Sequence, residues 1–222
     1  MKAVLYSGGQ TDENRRLHDA LSQLVPHSGF RSLTYISNGE DGASPFFEAA
    51  KRRYERFGFS RFHLLHPDRP PTRSERQEAL GSDVLYLAGG NTFYSLYHLR
   101  KSGLLSDLQS FSKRGGILAG LSAGAIILTP HIGLAGYPEF DRDENEVGLR
   151  RLKALGLTSF EFFPHYRNMG LLNRALEHYS AQSRFPIIAT RDGGGIVLDG
   201  NETRWIGESL LFVQGKRHRI MG

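Results

Sequence analysis

A serine between two glycines is the first residue of this sequence whose setting suggests chemistry. The segment GLSAGAII, residues 120–127, contains Gly120, Ser122 and Gly124 in the pattern Gly-x-Ser-x-Gly. In a nucleophile elbow a strand ends at such a serine, the chain turns sharply and a helix begins at once, and small neighbours allow that close packing. The pattern is also common by chance, and a buried strand–helix junction can carry it. Ser122 is therefore a candidate nucleophile that needs supporting residues elsewhere.

A nucleophilic serine requires a general base, and the base requires a group that orients it. Of the nine histidines, His165 stands out because FFPHY follows an apolar, strand-like run, which predicts an imidazole just beyond a strand. Asp192, in IIATRDGGG, also follows an apolar strand, although a plain Asp-Gly turn explains it equally well. The chain order Ser, His, Asp differs from the α/β-hydrolase order Ser, Asp, His and argues against that fold.

Two backbone amides are candidates for binding the oxyanion that forms when a serine attacks a carbonyl. The N–H of Ala123 would lie at the start of the helix that follows Ser122. The segment LAGGNTF, residues 87–93, has the same strand–glycine–helix form, and its Gly89-Gly90 pair would bring a second N–H beside the serine. Taken alone, the Gly89-Gly90 pair is more typical of a tight turn.

The elements that must position these residues alternate along the first half of the chain. Short apolar runs predict strands at residues 3–6, 32–36, 61–65, 84–88 and 116–119. Amphipathic segments predict helices at residues 13–24, 45–57, 74–80 and 93–114, the last broken at Gly103. This alternation predicts an α/β fold with a mostly parallel sheet covered by helices, in which ligands bind at the carboxyl ends of the strands.

The last quarter of the chain has a different pattern. Close-spaced strands are predicted at residues 187–190, 195–198, 203–206 and 210–213, separated by Asp-Gly and Gly turns that favour antiparallel pairing. No repeat or linker interrupts the sequence, so residues 1–222 are predicted to form a single domain.

Composition excludes several classes of function. The absence of cysteine rules out disulfides, thiolate metal sites and a cysteine nucleophile, and no apolar run is long enough for a membrane-spanning helix. The net charge of +5 comes from scattered basic residues and a basic tail at 216–219, which predicts no nucleic-acid partner. We therefore expect a cytoplasmic protein without membrane contact. No metal or cofactor is predicted, because nucleophile, base and oxyanion donors are all supplied by the chain.

Three segments together resemble peptidase family S51, which includes dipeptidase E and cyanophycinase. They are VLYLAGGNTFYSL at 84–96, GGILAGLSAGA at 115–125 and FPHY at 163–166, and the strand with Asp-Gly around Asp192 completes the pattern. The resemblance implies a flavodoxin-like fold similar to class I glutamine amidotransferases, with serine in place of their cysteine. It also implies Ser122 as nucleophile, His165 as base and Asp192 as the orienting acid, with Gly90 and Ala123 at the oxyanion positions.

The resemblance predicts a serine exopeptidase that hydrolyses short peptides through an acyl-enzyme, but two positions depart from dipeptidase E. Asp192 stands where that enzyme has glutamate, and Tyr137 stands at a tentative substrate-binding position where it has aspartate. Arg167 and Arg191 flank His165 and Asp192 and are candidates for binding a substrate carboxylate. An aspartyl side chain and a peptide C-terminus both present a carboxylate. A dipeptidase, a carboxypeptidase and a non-enzymatic ligand-binding protein of the same fold therefore remain open.

A homodimer is predicted for two reasons. Dipeptidase E-like proteins tend to form dimers, and the segment WIGESLLFV carries Trp205, Leu211 and Phe212 with little charge. A strand of this kind invites pairing if it is left uncovered, although these side chains could equally pack beneath the helices of the first half.

Overall fold

The computed structural model describes residues 1–9, 12–26, 29–39 and 41–220. Its strands are β1 (Lys2–Tyr6), β2 (Arg31–Ile36), β3 (Phe59–Leu65), β4 (Val84–Leu87), β5 (Ile117–Leu121), β6 (Glu161–Phe163), β7 (Ile187–Thr190), β8 (Gly195–Asp199), β9 (Glu202–Ile206), β10 (Ser209–Val213) and β11 (Lys216–Ile220). Its helices are α1 (Arg15–Leu24), α2 (Ala43–Glu55), α3 (Arg73–Leu80), α4 (Thr92–Lys101), α5 (Leu104–Lys113), α6 (Ala123–Leu128) and α7 (Gly170–Gln182).

The strands form two sheets. The larger sheet has seven strands in the order β3-β2-β4-β5-β1-β8-β9. Its first five strands pair in parallel, and β8 and β9 continue the sheet in antiparallel pairing. The smaller sheet has four strands in the order β11-β10-β7-β6, with β6 and β7 parallel.

Helices cover both faces of the larger sheet because successive strand residues point to opposite faces. In β1, Ala3 and Leu5 belong to an apolar core with α4, α5 and α6, whereas Val4 and Tyr6 face α1 and α2. A third core lies between the smaller sheet and α7. The predicted architecture of a mostly parallel sheet flanked by helices, with antiparallel C-terminal strands, is thus confirmed.

Local signals fixed several helix boundaries. Thr72 forms a capping box with Glu75 at the start of α3, and Asn91 accepts a hydrogen bond from Tyr94 N at the start of α4. The predicted break between α4 and α5 is present at Gly103, where φ is 80°.

The structure corrects one expectation about the C-terminal region and answers a question about it that the sequence left open. Residues 216–219 are not a free tail but part of β11, which pairs with β10 at the sheet edge while its basic side chains stay exposed. Phe212 is fully buried and contacts Tyr166, so it cannot supply the uncovered apolar surface from which a dimer was argued. Trp205 packs on Phe160. The homodimer itself stays a prediction.

Candidate active site

Ser122 lies between the last residue of β5 and the first residue of α6, where the chain turns sharply. Its φ of 50° and ψ of −111° lie outside the regions that L residues favour. A Cβ on Gly120 would lie 2.5 Å from the carbonyl carbon of Gly124, and one on Gly124 would lie 2.3 Å from Leu87 O. Both glycines of the pattern are therefore required by close backbone packing, as an elbow demands.

Ser122, His165 and Asp192 form one chain of hydrogen bonds. Ser122 Oγ lies 2.8 Å from His165 Nε2, and His165 Nδ1 lies 2.8 Å from Asp192 Oδ1. A carboxylate accepts only, so the neutral imidazole carries its proton on Nδ1 and leaves Nε2 to accept from the serine hydroxyl. The His165 and Asp192 side chains are about half exposed, at 49% and 53%. The serine–imidazole contact is therefore reachable from solvent.

The parallel pairing of β6 with β7 explains why His165 and Asp192 meet. His165 follows the end of β6 by two residues, Asp192 follows the end of β7 by two residues, and Phe163 pairs with Ala189. Neighbouring parallel strands end at the same edge of a sheet, so residues just beyond their ends lie close together. The smaller sheet thus carries the histidine and the aspartate, and the larger sheet carries the serine.

Two residues that the sequence analysis did not single out lie directly against this chain of hydrogen bonds. Ser7 Oγ accepts a hydrogen bond of 2.8 Å from the backbone N–H of His165. A Cβ on Gly8 would lie 1.9 Å from Asp192 Oδ1. A signal was present, because SGG follows the first apolar strand and repeats the strand–small-residue form seen before Gly90 and Ser122.

The Gly89-Gly90 turn after β4 borders Ser122. A Cβ on Gly89 would lie 3.6 Å from Ser122 Cβ. Gly90 has φ of 132°, and a Cβ there would lie 2.5 Å from Asn38 Cγ, so no larger residue fits without strain. Of the two backbone amides considered for the oxyanion, that of Gly90 belongs to a turn that borders Ser122, and that of Ala123 belongs to the next residue in the chain.

Two cavities lie beside the ends of β4 and β5. One of about 390 Å³ is lined by Ser122 and His165 together with Thr92, Leu134 and residues 139–144. A second of about 550 Å³ is lined by Gly89 and Gly90, with aromatic walls from Tyr35, Phe46 and Tyr94. Its other lining residues include four carboxylates, from Asp41, Asp68, Glu144 and Glu146.

The charged residues that line the larger cavity are all acidic. Among its described lining residues there is no lysine, arginine or histidine. Tyr94 donates a hydrogen bond of 3.1 Å to Asp68 Oδ2. Burial and the Asp68 carboxylate raise the pKa of Tyr94, so this phenol stays a neutral donor. The cavity is therefore unfavourable for an acidic side chain.

The acidic loop DRDENE, residues 141–146, borders both cavities and is fastened to the start of α4. Asp143 Oδ2 accepts a hydrogen bond of 2.7 Å from Thr92 N, and Asn91 Nδ2 donates one of 2.8 Å to Glu144 O. The carboxylate at the first turn of α4 also suits the helix dipole.

Of the three residues proposed for substrate contacts, two lie beside His165 and Asp192 and one lies against α7. Arg167 and Arg191 line a hollow beside His165 and Asp192, and each guanidinium pairs with a carboxylate, Asp141 at 3.2 Å and Glu208 at 3.2 Å respectively. Tyr137 donates a hydrogen bond to Ala175 O and packs on Tyr179, so it faces α7 instead of the serine. The structure gives no support to a substrate contact for Tyr137.

The described ranges contain neither a cluster of metal-binding side chains nor a membrane-spanning helix. No three histidine, cysteine, aspartate or glutamate side chains within them are grouped so as to hold a metal ion. No helix in that part of the chain has the length and apolar character that crossing a bilayer requires.

Fold and site together define an α/β protein with a serine–histidine–aspartate chain at the carboxyl edge of its main sheet. Residues 3–206 match the family model of peptidase family S51, and the chain belongs to this family. An uncharacterized peptidase from Pasteurella multocida is 31% identical over 125 residues, which are 56% of this chain and 59% of that protein. Peptidase E from Salmonella arizonae is 34% identical over 87 residues, which are 39% of this chain and 35% of that enzyme. The matches thus span less than two thirds of these relatives.

Solved structures share the fold over nearly the whole chain. A peptidase from an acI-B1 Actinobacterium superposes with a TM-score of 0.75 at 15% identity, covering 99% of this chain and 93% of that one. A peptidase E-like protein from Listeria monocytogenes gives a TM-score of 0.69 at 22% identity, covering 92% and 96%. At these identities the likeness concerns the fold alone.

Proposed function

We propose that this protein is a serine exopeptidase that hydrolyses short peptides through an acyl-enzyme. Ser122 is the nucleophile, His165 the general base and Asp192 the acid that orients the imidazole. The observation that carries the proposal is the continuous chain of two 2.8 Å hydrogen bonds from the serine hydroxyl to the carboxylate. Membership of peptidase family S51, and relatives named peptidase E, support the same reaction class.

The proposed reaction has two half-reactions. Ser122 Oγ attacks the peptide carbonyl while His165 Nε2 takes the hydroxyl proton, and Asp192 stabilises the imidazolium. The N–H groups of Gly90 and Ala123 bind the oxyanion. Collapse of the tetrahedral intermediate breaks the C–N bond, and His165 returns the proton to the leaving amine. Water then repeats the sequence on the ester, which releases the acid product and restores Ser122.

The hollow beside His165 favours a free carboxylate on the leaving group. His165 delivers the proton to the leaving amine, so the leaving residue lies on its side of the serine, where Arg167 and Arg191 line the hollow. Both guanidiniums already pair with protein carboxylates, and a substrate carboxylate would compete for them. A single leaving residue carries a free carboxylate in both a dipeptidase and a carboxypeptidase reaction. This hollow is the observation that keeps the carboxypeptidase as the second candidate.

The carboxylate-lined cavity disfavours an aspartate-specific enzyme. A substrate group that enters it meets Asp41, Asp68, Glu144 and Glu146, of which Glu144 also pairs with Arg142 at 3.1 Å. Like charges in a partly desolvated cavity repel, so we expect neutral or cationic groups to be accepted there before an aspartyl side chain.

Fluorophosphonate labelling tests the reaction class. The wild-type protein should form an adduct on Ser122, located by peptide mass spectrometry, and Ser122→Ala should not be labelled. The matched control is Ser180→Ala, a buried serine on α7, which should be labelled like the wild type. Absence of an adduct on Ser122, where a reference serine hydrolase is labelled, would favour the non-enzymatic ligand-binding protein.

Peptides with blocked ends distinguish the two exopeptidases. A dipeptidase needs a free amino terminus, so N-acetylation should abolish cleavage. Cleavage that survives N-acetylation but is lost on C-terminal amidation would show that the protein is a carboxypeptidase and not a dipeptidase. Cleavage of peptides blocked at both ends would contradict both exopeptidase proposals.

A further inference from the structure

Ser7 is a buried serine whose hydroxyl joins three strands at the candidate active site. It follows the last residue of β1, and none of its surface is exposed. Its Oγ accepts a hydrogen bond of 2.8 Å from the backbone N–H of His165 and donates one of 2.7 Å to Thr190 O. Asp192 Oδ1 lies 3.5 Å away. The hydroxyl has one proton, so the shorter contact to Thr190 O takes it.

These contacts fix the segments that carry both the histidine and the aspartate. Thr190 is the last residue of β7 and lies two residues before Asp192. Thr190 O also accepts a hydrogen bond of 3.0 Å from Tyr166 N, directly after His165. Ser7 thus stands between the ends of β6 and β7, and it ties both to the strand beside Ser122.

His165 needs such an anchor because its backbone is strained. Its φ is 56°, the left-handed conformation that residues with a side chain rarely adopt. A strained backbone conformation persists only where several surrounding contacts hold it in place. The Ser7 hydroxyl supplies one such contact, because it accepts a hydrogen bond from the N–H of His165. The conformation of His165 sets the direction in which its imidazole points.

Gly8 leaves the space into which the imidazole and the carboxylate fit. A Cβ at this position would lie 1.9 Å from Asp192 Oδ1 and 2.4 Å from His165 Nδ1. The atoms that would have to move are the two that share the hydrogen bond. An alanine at Gly8 would therefore displace the His165–Asp192 contact specifically.

We infer that Ser7 is a positioning residue for His165 and Asp192, and that Gly8 must lack a side chain for the same purpose. The inference rests on the proposed function, since positioning matters for catalysis only if His165 acts as the base. Ser7 does not touch the reacting atoms and acts through the backbone of His165.

The first test compares Ser7→Ala with Ser180→Ala. Ser180 is a matched control, because its buried hydroxyl accepts a backbone N–H from Gly215 at 3.1 Å and donates to Glu177 O at 2.8 Å. Both variants should lose thermal stability. Only Ser7→Ala should lower kcat, by about 10- to 100-fold per folded molecule with little change in KM, as expected for misplacement of a base. An equal effect of both variants on kcat, or an effect of neither, would overturn the inference.

The second test is a double-mutant cycle. If Ser7 acts through the His165–Asp192 contact, Ser7→Ala should lower kcat much less in an Asp192→Asn background than in the wild type. Gly8→Ala should show the same dependence on Asp192. If Ser7→Ala and Gly8→Ala lower kcat by the same factor in the Asp192→Asn background as in the wild type, Ser7 and Gly8 act independently of this contact. That result would overturn the inference.

The third test does not require activity. Hydrogen exchange of the His165 backbone amide should be much faster in Ser7→Ala than in the wild type, and unchanged in Ser180→Ala. Unchanged exchange in Ser7→Ala would refute the anchoring role whatever the enzyme does. If wild-type protein neither hydrolyses peptides nor reacts with fluorophosphonate, the proposed function fails, while amide exchange still decides whether Ser7 holds His165.

Discussion

Ser122 and His165 both have positive φ angles, of 50° and 56°. Backbone conformations of this kind cost about 1–3 kcal/mol each unless the residue is glycine. Fixed contacts offset the strain, since Ser122 N donates to Tyr6 O at 3.0 Å and His165 N donates to the Ser7 hydroxyl at 2.8 Å. The proposed nucleophile and the proposed base are thus both held by hydrogen bonds to residues at the end of β1.

Alanine substitutions at the serine and the histidine should remove nearly all activity. We expect Ser122→Ala and His165→Ala each to lower kcat by about 10⁴- to 10⁶-fold, because nucleophile and base act as one unit. Asp192→Asn should cost less, because it disturbs the imidazole tautomer and its charge stabilisation without removing the base. Steady-state peptide hydrolysis measures the losses, with thermal unfolding as the check on folding. Full activity in Asp192→Asn would remove this residue from the mechanism.

At the scale of elements, the site depends on how closely α6 approaches the sheet. The carbonyl oxygen of Leu87, at the end of β4, lies where a side chain on Gly124 would begin. This approach places the first turn of α6, and hence Ser122 and the Ala123 amide, between β4 and β1.

Gly124→Ala should therefore destabilise the protein and displace Ser122. The new Cβ would lie 2.3 Å from a backbone oxygen that cannot rotate away, so we expect a loss of about 1–3 kcal/mol, as for other overpacked cores. Chemical denaturation measures the loss, and the rate of fluorophosphonate labelling reports the displacement. Gly170→Ala is the control, because Gly170 also lies in the first turn of a helix but its nearest neighbour is the flexible Arg174 side chain at 3.5 Å. Equal stability of both variants would contradict close packing of α6.

At the scale of the whole molecule, a buried polar cluster beneath α1 links stability to pH. His18 Nδ1 lies 3.3 Å from the Tyr6 hydroxyl and 3.2 Å from the Tyr54 hydroxyl, and the side chain is almost fully buried. Burial, and secondarily the Arg53 charge, lower the pKa of His18 to about 3. The native state therefore resists protonation of His18, and the unfolded state does not.

His18→Phe should make the protein less sensitive to acid. The stability from a neutral His18 is present above the unfolded pKa of about 6.5 and is lost as pH falls from there towards about 3. The full loss over this window is about 3–5 kcal/mol, and phenylalanine does not titrate. Urea unfolding at pH 7.5 and pH 5 compares the variant with wild type and with His178→Gln, an exposed control on α7. If His18→Phe loses as much free energy of unfolding between pH 7.5 and pH 5 as the wild type does, His18 is not the acid-sensitive group.

Assembly is the other property of the whole molecule. Family resemblance predicts a homodimer, although the burial of Phe212 removes part of the physical reason. Light scattering at micromolar concentration should give a mass near twice 24.9 kDa. A monomer that still hydrolyses peptides would exclude a pocket built from two subunits.

Local sequence determined the elements and the candidate residues on them. The parallel strands, the break at Gly103 and the turn at Ser122 follow from apolar runs and glycines, because strand burial and left-handed turns are properties of a few neighbouring residues. His165 and Asp192 were recognisable as polar residues just beyond apolar runs. Whether they would meet was open, because an Asp-Gly turn has the same local sequence.

Only the tertiary structure decided how these residues are assembled. The C-terminal strands divide between two sheets, with β8 and β9 extending the larger one and β7, β10 and β11 joining β6 in the smaller one. This division places Asp192 beside His165, and it places both over Ser7, which is 158 residues from His165 along the chain. The basic segment at 216–219 became a strand because β10 offered an edge with which to pair. Such contacts depend on which distant surfaces pack together, and short-range periodicity and turn chemistry carry no information about that choice.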